Sequence, residues 1–237
     1  MTSRYFLSNQ VFLSRTSRHY VFLDLKSDRY WAVAQDQLEA IGQSLQGWSA
    51  CDARPVPFRG MGAADAHRLV DVLVRRGLLT TDPASGSAVA PTCFPLPKRA
   101  LLEGCQPVIH HPGFRHLRIF VIAGCSAGLK RRWQSIAKIV GSRARRHRSD
   151  LGHFDESRCR ELVAVFGVMR PYFPGKPSCL LDSFMLVEFL ARYGMHAHWV
   201  FGVRTEPFSA HCWVQRDDLV LNDTLDHVGT FVPIMAV

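Results

Sequence analysis

Six of the chain's 13 prolines fall within 30 consecutive positions: Pro83, Pro91, Pro95, Pro97, Pro107 and Pro112. Proline fixes φ, lacks a backbone donor and biases the residue before it away from helix. Such a segment is neither a helix interior nor a central strand. With Ala84-Ser85-Gly86-Ser87 it reads as a partly extended linker over residues 83–113. It divides the 237 residues into a module at 1–82 and a larger one at 114–237, sizes that a chain of this length accommodates.

The first module opens with β-branched and aromatic runs, Val11-Phe12-Leu13, Tyr20 to Leu25 and Arg29 to Val33, separated by short polar stretches. This is the pattern of a meander of two or three strands. Asp36 is placed to cap a helix through Leu38, Ile41, Leu45 and Trp48, whose spacings are helical. Gly60 to Gly62 breaks the chain. Ala66, Leu69, Val70, Leu73 and Val74 then form one stripe of a second helix over 63–76, ended by Gly77. Leu78 to Thr81 reads as a short wing strand. The module is thus expected to be a small winged-helix-like β3α domain, and the whole chain α+β.

In the second module, residues 114–147 are expected to be helical, broken near Gly124 to Gly128. One face is apolar, and the other carries Lys130, Arg131, Arg132, Lys138, Arg143, Arg145, Arg146 and Arg148. Together with the net charge of +9, this suits an acidic partner. The ordinary reading of such a run is a solvated face. Nucleic acid is not expected, because zinc-finger spacing and an aromatic ribonucleoprotein-type strand are both missing. A helix over 155–172 carries Cys159, Leu162, Val163, Phe166 and Met169. The longest apolar run, Ile119 to Leu129, is about half the roughly 20 residues a membrane span needs, so no membrane association is expected. Seven cysteines without a CxxC pair, and an N-terminus without a signal peptide, point to a reducing cytoplasm.

The chemistry gathers at Pro177-Ser178-Cys179. Ser178 is placed as N-cap and Cys179 at the first position of an apolar helix that Gly194 stops. A helix N-terminus stabilises a thiolate, and its N–H groups suit a developing oxyanion. A single cysteine there is ordinarily a small buried hydrophobe. What changes its status lies downstream. Ala210 to Gln215 and Leu219 to Asp223 flank Arg216-Asp217-Asp218 and read as a hairpin with a three-residue loop. Symmetric pairing about Asp217 sets His211 opposite Asp223, and a bulge would bring Asn222 there instead. Cys179, His211 and Asp223 are therefore candidates for nucleophile, base and orienter. Cys212, on the opposite strand face, is read as core. His110-His111, His196 with His198, and His211-Cys212 lack a second cluster at structural-zinc spacing, so no metal is expected.

Taken together, Cys179-Leu180-x-x-Ser183, Phe201-Gly202-Val203, Pro207-Phe208-x-Ala210-His211-x-Trp213-Val214 and Leu221-Asn222-Asp223 resemble the lasso-peptide biosynthesis B proteins. The resemblance covers residues 115–237. It implies a papain- and transglutaminase-like cysteine peptidase domain that removes the leader from a ribosomal precursor. A partner asparagine-synthetase-like enzyme would then close the macrolactam, and Cys179, His211 and Asp223 would carry the cleavage. The first module resembles the family's PqqD-like leader-recognition domain. That implies a leader added as a strand beside Arg29 to Val33 and packed on the helix over 63–76, with Tyr30, Trp31, Leu69 and Leu73 as candidate contacts. No bound cofactor is implied, and any ATP requirement would enter through the synthetase.

Overall fold

The computed structural model describes residues 4–48, 62–103, 112–146 and 154–237. It opens with β1 (Phe6–Ser8), β2 (Val11–Arg15), β3 (His19–Asp24) and β4 (Arg29–Ala34), four strands where two or three were expected. β2, β3 and β4 make the anticipated antiparallel meander, in register from Val11↔Asp24 and from His19↔Ala34. β1 departs from it. It pairs on one side with β5 (Leu79–Thr80) and on the other with β6 (Gly86–Ser87) in a second three-stranded sheet.

Between these strands lie α1 (Gln35–Ala40) and α2 (Ala63–Arg75). α1 stops well short of Trp48. A 3₁₀ turn follows at Gly42–Ser44, and Leu45 adopts an extended conformation. The reason is a competing backbone partner: Tyr5 donates to the Ser44 carbonyl and accepts from the Gln46 amide. Leu38, Ile41 and Leu45 still share the core, so the apolar spacing was informative although the helix is short. Asp36 sits inside the first turn rather than capping it, and Ala34 holds the N-cap position without a side-chain bond. α2 ends as expected. Gly77 has φ 72°, its N–H donates to Val74 O, and Leu78 N–H donates to Leu73 O. This is a Schellman closure, with Leu73 and Leu78 buried beneath it.

The second unit contains β7 (Arg99–Ala100), α3 (Phe114–Trp133), α4 (Ile136–Arg146), α5 (Glu156–Met169), α6 (Cys179–Ala191), β8 (His198–Thr205), β9 (Phe208–Arg216), β10 (Leu219–Val220), α7 (Leu225–Val228) and β11 (Val232–Ala236). Its sheet runs β11-β8-β9-β10-β7, with β7 parallel to β10. α3 runs unbroken through Gly124 and Gly128, and the break falls at Gln134 instead. Gly124 serves packing: a Cβ there would collide with the Phe173 ring. Among the described residues no helix is long and apolar enough to cross a membrane.

The proline-rich stretch holds more structure than a linker. It supplies β6 to one sheet and β7 to another, and the chain divides between Cys93 and Phe94, with the turn Thr205–Pro207 grouped with the first unit. Proline keeps the chain extended, and an extended chain can pair along a sheet edge, where both short strands lie.

The basic run is also not uniformly solvated. Lys130 and Arg143 turn inward to Glu188 of α6, at 3.1 and 3.6 Å, and Arg192 joins them at 3.3 Å. Burial opposes ionisation of Glu188, yet these cations hold its pKa below the usual carboxylate value. Arg131, Arg132 and Lys138 are exposed. The side chains of Arg145 and Arg146, and residues Arg148, His110 and His111, lie outside the described residues.

Gly202 on β8 tests the packing of the sheet. A Cβ there would stand 2.7 Å from the fully buried Trp213 ring and 2.9 Å from Phe231 Cβ. Gly202→Ala is expected to destabilise by about 1–3 kcal/mol, the ordinary cost of overpacking. The check is a lower urea midpoint at unchanged slope.

Candidate active site

Cys179 is the first residue of α6, as its sequence context suggests. Ser178 is the N-cap, and its Oγ accepts from the Leu181 N–H at 3.3 Å. The Asp182 N–H already donates to Ser178 O. Among the described residues, the N–H groups of Cys179 and Leu180 are left as open donors of the first turn. The Cys179 side chain is exposed.

His211 lies on β9 and reaches Asp223: Nε2–H donates to Oδ2 at 2.6 Å. The expected pair is present, but its origin differs from the expected hairpin. The loop has two residues, not three, because Asp217 takes the left-handed conformation (φ 53°) and Arg216 pairs with Leu219. Continuing that register would set Asn222 opposite Trp213 and Thr224 opposite His211. The backbone ladder ends sooner. Leu221 N–H donates to Val214 O, and then the Asn222 side chain replaces a backbone carbonyl, its Oδ1 accepting from Val214 N–H at 2.8 Å. The main chain is thereby released at Asn222, and Asp223 swings its carboxylate to His211.

A second network ties this corner to α6. Ser183 stands one helical turn after Cys179 and is fully buried. Its Oγ donates to Cys212 O at 3.1 Å and accepts from Asn222 Nδ2 at 3.0 Å. Cys212 neighbours His211, and Asn222 neighbours Asp223. One hydroxyl therefore links the three segments that carry Cys179, His211 and Asp223.

The electrostatics follow from these contacts. The influence of the Cys212 thiol and then of the His211 ring outweighs burial and lowers the Cys179 pKa to about 4. Burial alone would lower His211, but its hydrogen bonds to Asp223 and Cys179 raise it to about 9. Burial would likewise raise Asp223, yet donation from His211, the Thr224 N–H and His227 holds it below the usual carboxylate value. With Nε2 engaged by Asp223, Nδ1 is the ring nitrogen left for the sulfur. The two shifts run in the direction that favours thiolate on Cys179 and imidazolium on His211.

One participant was not assigned from sequence. His227 on α7 donates from Nδ1 to Asp223 Oδ1 at 3.0 Å, and its ring lies 4.5 Å from that of His211. Its i, i+4 spacing from Asp223 was the available signal. Cys212 is buried as expected, and its carbonyl accepts from the Ser183 hydroxyl. Among the described residues, only His211, Asp223 and His227 gather three metal-ligand atoms, within 4.8 Å of one another. The 2.6 Å between His211 and Asp223 is a hydrogen-bond distance. Ligand atoms of one tetrahedral zinc would stand about 3.3 Å apart. His198, with its pKa lowered by burial, packs edge-on against Phe94.

Residues 121–236 match the model of the transglutaminase-like superfamily. The matched segment includes Cys179, His211 and Asp223. Over 48 residues the chain is 44% identical to the microcin J25-processing protein McjB of Escherichia coli, a stretch covering 20% of this chain and 23% of that protein. The match thus spans about a quarter of the relative's length. No solved structure matches the chain.

The candidate leader contacts in the first unit do not form one surface. Trp31 and Val33 share the face of β4 that packs on the core with Leu69 and Val70 of α2. Tyr30, by the strand's two-residue period, lies on the other face. Leu73 is 2% exposed and belongs to the core itself. Trp31 and Leu69 remain partly exposed, with the Arg76 guanidinium 3.8 Å over the Trp31 ring. β4 is an edge strand of its sheet.

The lowered Cys179 pKa is measurable. The thiolate exists above about pH 4, so alkylation of Cys179 by iodoacetamide is expected to reach half its plateau near that pH. In His211→Ala the half-point is expected to move up, toward ordinary thiols. Peptide mapping separates Cys179 from Cys93 and Cys125, which are also exposed.

Proposed function

We propose that the protein is a cysteine endopeptidase that removes the leader from a lasso-peptide precursor before a partner synthetase closes the macrolactam. The observation that carries this reading is the 2.6 Å His211–Asp223 hydrogen bond in segments that Ser183 ties to the helix that Cys179 opens. The transglutaminase-like match supports a thioester-forming scaffold. The likeness to a microcin-processing protein supports the pathway.

In this reading the Cys179 sulfur attacks the scissile carbonyl. A C–S bond forms while the carbonyl electron pair moves to oxygen, facing the N–H groups of Cys179 and Leu180. The intermediate collapses as the C–N bond breaks, and His211 gives its proton to the departing amine. Neutral His211 then takes a proton from water, whose oxygen attacks the thioester. The leader leaves as a carboxylic acid, and Cys179 is restored as thiolate when the sulfur departs. Asp223 keeps the imidazole in one tautomer and orientation, and His227 stabilises that carboxylate.

The first unit, residues 1–82 in the expected division, is proposed to recognise the leader as a winged-helix-like, PqqD-like module. An extended leader would pair with the edge of β4 and rest against Trp31 and Leu69. The synthetase, an asparagine-synthetase-like partner, would take the freed core peptide. A second reading, acyl transfer to an amine, uses the same thioester and is consistent with the superfamily.

Both readings are tested by incubating precursor with protein, with and without synthetase and ATP, and following mass. Released leader supports the peptidase, and joined products support transfer. Cys179→Ala is expected to abolish either one, and a variant that still releases leader at the native rate refutes the assignment. Trp31→Ala is expected to weaken leader affinity about tenfold, ~1.4 kcal/mol, in a fluorescence titration. Unchanged affinity removes Trp31 from the groove.

A further inference from the structure

α3 is apolar toward the core and apolar toward water. Ile119, Phe120, Ala123 and Ala127 are buried on its inner side. Phe114, Leu117, Val121, Ile122, Leu129 and Trp133 are 46–82% exposed. By the helical period these six share one outward face that runs the length of the helix. A surface helix ordinarily turns charged and polar residues outward, and a helix that is apolar all round is covered all round.

Cations accompany that face and acids do not. Arg118 and Arg132 project from it, and Arg115 and Arg131 flank it, all four exposed. Residues 114–146 contain no Asp or Glu. Among the described residues no carboxylate pairs with these four arginines. The face also opens into a pocket of about 470 Å³ between α3 and the end of α5. Leu117, Val121 and Cys125 line one side, and Val168, Met169 and Tyr172 line the other. No charged residue lines it. Sites for polar ligands carry a few placed polar groups that fix orientation, so this pocket suits hydrocarbon.

We propose that the outward face of α3 seats the protein on an anionic phospholipid bilayer, with lipid hydrocarbon entering the pocket beside α5. The inference is independent of the peptidase reading.

The seat is interfacial rather than spanning, because no helix among the described residues is long and apolar enough to cross a membrane. An interfacial helix combines an apolar face with Lys and Arg. Buried apolar area and attraction to anionic headgroups then hold it. α3 has both, and the rings of Phe114 and Trp133 stand at its two ends. A second copy of this chain fits the face poorly, since two such faces would oppose arginines with no acid between them. A folded protein partner is ordinarily held by direct hydrogen bonds of both kinds across the patch. Long cations of one sign around bare hydrocarbon suit a fluid anionic surface better.

The test mixes the full chain with vesicles of phosphatidylcholine, alone or with an equal part of phosphatidylglycerol, and measures partition by sedimentation. Binding is expected to the anionic vesicles and little to the neutral ones, and it weakens as salt rises. Arg118→Gln with Arg132→Gln is expected to lower the partition coefficient about 25-fold, about fivefold for each cation. Lys26→Gln with Arg75→Gln makes the same charge change in the first unit and is expected to leave it unchanged. Ile122→Ser with Leu129→Ser keeps the charge and is expected to lower it about tenfold. Brominated acyl chains are expected to quench tryptophan fluorescence, and Trp133→Phe to remove most of that quenching. The inference is overturned if anionic vesicles bind no better than neutral ones, or if the serine pair leaves partition unchanged. It is also overturned if both glutamine pairs lose binding equally, as a basic protein would on any anionic surface. Self-association, or binding of the synthetase, that the serine pair abolishes while vesicles stay unbound gives the face to a protein and overturns it too. Should the serine pair fail to fold, the Trp133 quenching decides.

Discussion

The Ser183 hydroxyl is the interaction on which the site depends. Cys179 belongs to a helix, His211 to a strand, and Asp223 to a chain that has just left the sheet. Nothing in any one of these segments sets its distance from the others. Ser183 receives a hydrogen bond from Asn222 and gives one to the Cys212 carbonyl, with no exposure to water. Each such bond contributes only about 0.5–1.5 kcal/mol net. An unpaired buried partner costs about 1–3 kcal/mol, and that asymmetry makes the arrangement specific. Slipping α6 along β9 would leave an amide, a carbonyl and a hydroxyl unpaired together.

Around that link the electrostatics are consistent. Two histidines and the Thr224 amide converge on the Asp223 carboxylate. His211 lies between the two anionic groups, which is why it holds its proton despite partial burial. Trp213 and Phe231 flank the ring, with centroids 6.1 and 5.2 Å away, and limit its tilt. The buried Glu188 with its three cations is a separate arrangement further along α6, fastening that helix to α3 and α4.

Sequence legibility followed the range of the cause. Local signals held: Ser178 caps α6, Gly77 closes α2, and Gly194 takes φ 75° at the end of the α6 segment. The His211–Asp223 pair was foreseen for a partly wrong reason. Counting residues about Asp217 gave a three-residue loop, whereas a left-handed Asp217 makes it two. The pair survives because Asn222 substitutes its side chain for its backbone, a choice no periodicity encodes. The short α1 and the unbroken α3 were illegible for another reason. Tyr5 and Phe173, distant in the chain, decide them through a strand bridge and a ring packed over Gly124. The candidate groove contacts mixed two sheet faces, because the strand's facing is fixed only once the core is known.

The parallel strand β7 has a consequence for how the halves of this chain can be separated. It is only Arg99–Ala100, yet it covers the open side of β10, whose partner β9 carries His211. Lys98 and Arg99 both donate to Asp218 O in the loop that sets the hairpin register. The proline-rich stretch is therefore a seam stitched into the second sheet rather than a tether. A cut on its far side, near residue 113, would bare a strand edge one strand away from His211 and invite the edge-to-edge association that exposed strands promote. A cut before Phe94 would leave that edge covered.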